Sequence, residues 1–393
     1  MKLELGLLPT SLDDRLIVIK EQLTQLSEDK QPLVGEVPTY EELISAQFSS
    51  WNAITQLFHH SKNKLNKLLL RIHYKRSDDL SSEARLNVLK FLCKGYLITN
   101  DVRYFNEFLW FYKSNANSED YWLLMQNNFH NNLDANNAHS FLPFPKQDVG
   151  DYIMEINTRA ENVKNAGKQK KLNVGLIGIP FIFKNVYHQL KANGFSAKVI
   201  LIPYYTEWKR RLFLKSGIVF KLFTKLKGVR FPYRMLNYPH TSKSIYSELK
   251  KEQFDIGYFK LGFIVKDNIY DAFKLGLLHD HLAVLPFIRG RSSLEFSLLH
   301  GIPPGSTIHF IGRGIDTGQI VKIYTYDIIK EDTIETIRKR VKSDFENRIY
   351  DSLSIVSHNS NTKIENDLSK GLSYYSMHPM LYDFINNNIL PSK

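Results

Sequence analysis

The chain has 393 residues, 43% of them hydrophobic, and carries 52 Lys and Arg against 40 Asp and Glu, a formal net charge of +12. Its length predicts more than one folded unit, and its single cysteine, Cys93, excludes an intramolecular disulfide framework and fits a reducing compartment. The opening MKLELGLLPTSLDD lacks the charged-then-apolar pattern of a signal peptide, and no unbroken apolar run reaches membrane-spanning length, so the cytoplasm is expected.

In chain order, the first part reads as helical. YEELISAQFSSWNAITQLFHH and ARLNVLKFLCKGYLI both place apolar residues at three- and four-residue spacing. The Asn-rich MQNNFHNNLDANNAHSFLPFPKQD reads as a loop and NAGKQKK as a polar linker, which puts a domain boundary near Gly167. Residues 1–166 are therefore expected to form an all-α domain. Its aromatic cluster, GYLITNDVRYFNEFLWFYK, reads first as core. A dimerisation unit, a partner-docking module and a substrate lid all remain open for this domain, and a homodimer is among the expected states.

From 167 to 330 the pattern changes. LNVGLIGI, AKVILIPYY and FDIGYFKLGFI are short apolar strands, and FKNVYHQLKANG and SKSIYSELKKEQ are helices between them. Such alternation predicts an α/β fold with an open, mostly parallel, Rossmann-like sheet. The ligand crevice of such a sheet lies beyond the carboxyl ends of its strands. GIPFIF follows the first strand where a dinucleotide site would need Gly-x-Gly-x-x-Gly, so a dinucleotide cofactor is poorly supported. Residues 208–235 hold nine Lys or Arg and no acid. That run fits a grip on the phosphates of a nucleotide-linked substrate, contact with a membrane surface, or a solvated helix face.

GLLHDHLAVLPFIRGRSSLEFSLLHG then carries polar residues on a strand. Alternation points His279 and His281 one way and Asp280 the other. Pro286 and Gly290 end the strand, Ser292 or Ser293 caps a helix, and Gly301 stops it. GSTIHFIGRGIDTGQIVKIYTYDI reads as two strands around loop 312–318, with Asp316 near the tip. Two imidazoles and Asp316 also match a zinc site with an open position, with His309 as the candidate further ligand. No further ligand is clearly placed, and the reading without a metal is preferred. In the tail, 331–393, DTIETIRKRVKSDFENRIYDSLSIV reads as one amphipathic helix and KGLSYYSMHPMLYDFINN as a closing segment packed on 167–330.

One ordered set runs through these elements: His281, Leu285, Pro286, Arg289 and Gly290, then Gly301, Gly305, Thr307 and His309, then Ile315, Asp316, Thr317, Gly318 and Ile320. It resembles the folate-dependent formyltransferases, over roughly residues 172–330, and the tail resembles the sugar N-formyltransferase type. The resemblance implies transfer of a formyl group from 10-formyltetrahydrofolate to a small-molecule amine, with 167–330 as the catalytic domain. An amine attacking the formyl carbon creates an oxyanion that preorganised donors must meet, while protons leave the amine and reach the folate nitrogen.

By the same resemblance His281 is the catalytic donor and proton shuttle, and Asp316 orients it and holds its positive form. His279 stands where the family usually has Asn. An Asn amide always offers a donor there, whereas an imidazole does so only in the matching protonation state. Leu261, Gly262, Phe263 and Ile264, with Gly314 and Ile315, are implied to bind the folate, and Arg289 and Gly290 the acceptor. Fewer than about a hundred residues, helical in pattern, follow Ile320, which argues against the separate β-barrel of methionyl-tRNA formyltransferases. The expected acceptor is thus an amino sugar on a nucleotide carrier, and no nucleic acid partner is expected. A binding protein that keeps the fold without turnover, and a hydrolase that releases formate from the folate, are the alternatives.

Overall fold

The computed structural model describes residues 14–25, 37–45, 47–60, 65–76, 78–113, 118–132, 146–166, 168–202, 217–236, 242–261, 265, 269–358 and 363–391. The chain divides into two compact units. One comprises residues 1–146, 298–301 and 374–393, and the other 147–297 and 302–373.

The first unit is helical, with α1 (Asp14–Thr24), α2 (Tyr40–Leu43), α3 (Trp51–His60), α4 (Asn66–Tyr74), α5 (Ser82–Thr99), α6 (Val102–Phe111) and α7 (Glu119–Asn132). α5 starts where the Ser81 side chain accepts from the Ala84 N–H and ends at Asn100 in the left-handed region, φ 55°. Packed rings of Phe58, Phe91 and Tyr104, and of Phe105 and Phe129, fill its interior. Buried Glu107 accepts from Arg76 Nε at 2.7 Å. The carbonyl of Ser376 accepts from the same arginine and from Asn106 Nδ2 at 3.3 and 3.2 Å, and the His378 N–H donates to Asn106 Oδ1 at 2.8 Å. Residues 376 and 378 are thus tied into the helices by specific polar contacts.

Two expectations change here. The single helical segment 40–60 is two helices, because serines between them form local turns; Ser45 Oγ accepts from the Gln47 N–H at 3.3 Å. The Asn-rich stretch is not all loop, since α7 runs through Asn132. Leu124, Met125 and Phe129 are buried at helical spacing, and that burial outweighs the weak helix propensity of asparagine.

The second unit opens with α8 (Lys146–Ala166) and holds β1 (Asn173–Gly178), α9 (Lys184–Ala192), β2 (Ser196–Leu201), α10 (Gly217–Leu226), β3 (Tyr233–Met235), α11 (Ser242–Lys251), β4 (Ile256–Lys260), β5 (Gly276–His281), β6 (Ile288–Gly290), then α12 (Ser293–Leu299), which crosses into residues of the first unit, β7 (Gly305–Phe310), β8 (Ile320–Thr325), α13 (Ile334–Ser343) and α14 (Phe345–His358). The sheet order is β3-β2-β1-β4-β5-β7-β8. Strands β3 to β5 in that order are parallel, while β7 is antiparallel to β5 and β8 to β7. This is the expected α/β architecture with an open, mostly parallel sheet.

Helices cover both faces, so the strands are near-continuous apolar runs. One layer joins Leu176, Tyr258, Leu278 and Ile308 to Ile349 and Leu353 of α14. The other joins Ile177, Phe259 and Leu277 to Phe273 and Leu249. The expected single helix after β8 is broken at Asp344, whose backbone leaves the helical range and whose carboxylate accepts from Tyr326 Oη and Asn347 Nδ2, each at 2.8 Å. Among the described residues no helix is long and apolar enough to cross a membrane.

Candidate active site

β5 ends beneath the crevice position of the sheet, and its alternation sorts the three polar residues as expected. In the register, His279 faces His309 and His281 faces Thr307 on β7. The histidine face continues the apolar layer that contains Leu277 and Phe259, whereas Asp280 enters the layer covered by α14.

On the histidine face, His281 Nδ1 lies 3.3 Å from Asp316 Oδ2 and its Nε2 lies 2.9 Å from the Ile288 carbonyl oxygen. Both ring nitrogens therefore face acceptors. A neutral imidazole satisfies one of them at a time, and a protonated ring satisfies both. Asp316 sits in the left-handed region at φ 55°, which short polar side chains tolerate best. Its Oδ2 also accepts from the Gly290 N–H at 2.9 Å. Burial opposes ionisation of Asp316, but His281, His309 and that N–H outweigh it, so its carboxyl titrates below the ordinary value.

His309 is the residue that sequence reasoning underused. Its Nε2 lies 3.7 Å from Asp316 Oδ1, and its rings neighbour those of His279 at 5.8 Å and His281 at 6.4 Å. Burial, and then His279, push its pKa down to about 3, so the ring is neutral near pH 7. With Nδ1–H donated to the Phe310 carbonyl at 2.8 Å, its Nε2 keeps a free lone pair in the buried cluster. The signal was available: His309 lies directly opposite His279 once Gly-x-Thr-x-His is read as the neighbouring strand. His279 turns Nδ1 to the Phe259 carbonyl at 3.1 Å, and burial followed by the charge of Lys260 lowers its pKa.

Asp280 is held from the other side. Arg348 of α14 donates to it at 2.8 Å, Lys260 Nζ lies 3.3 Å away, and Ser306 Oγ donates to its other oxygen. Burial disfavours its charge, but Lys260 and Arg348 dominate and hold its carboxyl well below the ordinary range. Arg348, 68 residues along the chain from Asp280, carries no local signal of this role.

The remaining expected residues are distributed as follows. The buried Arg289 side chain donates to the carbonyls of Gly371 at 3.1 Å and Leu368 at 3.3 Å, which pins the segment after α14, while the N–H of Gly290 reaches the Asp316 carboxylate. Leu261 packs partly buried on the histidine-face layer beside Phe259. Gly262, Phe263 and Ile264 lie outside the described residues. Gly314 adopts φ 138°, and Ile315 is half exposed. Gly318 must be glycine, since a Cβ there would fall 1.7 Å from the Phe310 carbonyl oxygen. A cleft of about 330 Å³ near the start of β5 is lined by Tyr270, Phe273, Ile311, Gly312 and Gly318 among others. It lies toward the opposite end of β5 from His281, and loop 312–318 connects the two. Of the basic stretch 208–235, residues 208–216 lie outside the described residues. No group of three or more His, Cys, Asp or Glu among the described residues is arranged to hold a metal ion.

Residues 171–353, which contain every element of this cluster, match the family model described as formyl transferase. This segment is similar to formyl transferases. The chain is 31% identical over 101 residues to the methionyl-tRNA formyltransferase of Elusimicrobium minutum, covering 25% of this chain and 30% of that one. It is 29% identical over 86 residues to the phosphoribosylglycinamide formyltransferase of Bacillus subtilis, covering 22% and 43%. The matched part thus spans less than half the length of these curated relatives. Among solved structures, the formyltransferase PseJ of Anoxybacillus kamchatkensis, in complex with UDP-4,6-dideoxy-4-formamido-L-AltNAc and tetrahydrofolate, is similar at 23% identity and TM-score 0.33, covering 49% of this chain and 95% of that one. Glycinamide ribonucleotide transformylase 1 of Symbiobacterium toebii is similar at 19% identity and TM-score 0.37, covering 49% and 92%.

Proposed function

We propose that the chain transfers a formyl group from 10-formyltetrahydrofolate to the amine of an amino sugar on a nucleotide carrier, in the cytoplasm. The observation that carries this reading is the joined set of His281, Asp316 and the Gly290 N–H at the end of β5, inside the formyl transferase segment. The partly buried Leu261 and Val265, on the apolar layer that the histidine face continues, suit a flat heterocycle, and loop 312–318 offers backbone at close range. The folate supplies the activated formyl carbon, and the residues of this chain handle the charge.

In this reading the amine adds to the formyl carbon, and His281, with Nδ1 turned to Asp316, donates from Nε2 to the carbonyl oxygen as it gains charge. The carbon–nitrogen bond to the folate then breaks as that nitrogen takes up the proton the amine gives up. The neutral His309 borders the same carboxylate, with Nε2 3.7 Å from Asp316 Oδ1. The PseJ complex holds a UDP-linked formamido sugar and tetrahydrofolate, and in this chain the basic run 208–235 offers Lys and Arg that suit nucleotide phosphates.

The test is titration with a stable 10-formyltetrahydrofolate analogue, followed by a screen of amino-sugar nucleotides for formamide product. Saturable binding with product supports the reading. Binding without product in any screen favours a binding protein, and formate release without an amine favours the hydrolase. His279→Asn is expected to transfer formyl at an equal or higher rate, because an amide supplies a fixed donor in place of an imidazole committed to the Phe259 carbonyl. Complete loss in that variant would assign His279 a task of its own.

A further inference from the structure

α10, Gly217–Leu226, is fixed by one side and bare on the other. Phe220 packs on Leu201 and Tyr233, and Thr224 Oγ1 hydrogen-bonds Tyr233 Oη at 3.1 Å, so the helix is seated on the β2–β3 edge of the sheet. Its outward face inverts the usual polarity of a surface helix. Val219, Leu222 and Leu226 are 51%, 59% and 79% exposed. Their spacing of three and four residues stacks them in one stripe. Lys221 and Lys225, one turn apart and both exposed, run along its border, and Lys227 follows at the helix end.

We propose that α10 is a docking surface for a bilayer rich in anionic lipid. An apolar stripe bordered by lysines suits the headgroup–acyl boundary, where the stripe enters and the ammonium groups stay with the phosphates. Charge complementarity supports this occupant, because 208–235 has nine cations and no acid and the chain carries +12. Three side chains on ten residues offer too little area for a stable protein interface. Partial insertion into lipid combined with electrostatic attraction needs no such area. Docking of this kind would hold the enzyme beside a membrane whatever its acceptor, so it stands apart from the assignment of the reaction.

The experiment is co-sedimentation of the full chain with vesicles of phosphatidylcholine alone and of phosphatidylcholine mixed with phosphatidylglycerol. Binding to the anionic vesicles is expected, with at most trace binding to neutral ones. Leu222→Asp with Leu226→Asp is expected to lower the anionic partition coefficient by about tenfold or more. Lys221→Gln with Lys225→Gln should lower it by about 25-fold, at about 1 kcal/mol, or fivefold, per lysine at the surface. Both pairs are exposed, and unchanged circular dichroism confirms that the fold is kept. Three results overturn the proposal: no sedimentation with anionic vesicles, undiminished sedimentation of the Leu222→Asp/Leu226→Asp protein, or a self-associated state in solution that this double variant dissolves.

Discussion

Turnover of the His281→Ala protein is expected to fall by about a thousandfold, and Asp316→Asn by about a hundredfold or more, with the melting temperature changed by only a few degrees. The two residues share one proton-holding contact at 3.3 Å, so removing either disables the same step. Combining them should therefore cost little more than the worse single variant. Asn is the informative replacement at 316, because it tolerates the left-handed backbone that Asp316 occupies while lacking the charge. The measurement is formyl transfer under saturating donor, with fluorescence titration of the folate analogue alongside. Turnover within tenfold of the parent in either variant would remove His281 and Asp316 from the chemistry.

The largest stability effect is expected at a residue outside the reacting cluster. Arg348→Met leaves Asp280 buried with only the more distant, partly exposed Lys260 as counter-charge, and should cost about 3–5 kcal/mol. The Asp280→Asn/Arg348→Met double variant removes both buried charges and should recover a good part of that loss, as read by thermal denaturation of the three proteins. A single variant as stable as the parent would mean that the pair contributes nothing. The pH dependence follows from the same contact. Because the folded-state pKa of Asp280 is depressed, its stabilisation is fully present above roughly pH 4 and is lost as pH falls through the folded value. In the double variant that acid-labile part of the stability should be absent.

The parts of this architecture that could be read in advance were those set by local pattern. Period-two alternation put His279 and His281 on one face and Asp280 on the other, and the apolar runs of β1, β2 and β4 predicted the parallel sheet. Contacts made across the chain were invisible. Arg348 reaches Asp280 over 68 residues, and nothing in the helical pattern around it distinguishes a buried guanidinium from a solvated one. Arg289 shows the same limit from the other side: the motif drew attention to its charge, but its partners are backbone carbonyls, which have no sequence signature. The serine-rich break between α2 and α3, and the helical turns through asparagines in α7, were decided by local turn bonds and by burial, which propensity alone does not weigh.

The helical unit is discontinuous, with 374–393 contributing Ser376 and His378 to hydrogen bonds with Arg76, just past α4, and Asn106 of α6. On a ribosome that arrangement reverses the usual order of completion. The first helices emerge early but lack the Ser376 carbonyl and the His378 N–H that bond Arg76 and Asn106 until those residues are made, whereas the sheet-bearing unit has its own segments in hand by residue 373. The nascent helices must therefore wait with part of their polar interior unmatched, and the sheet unit is the one able to finish folding first.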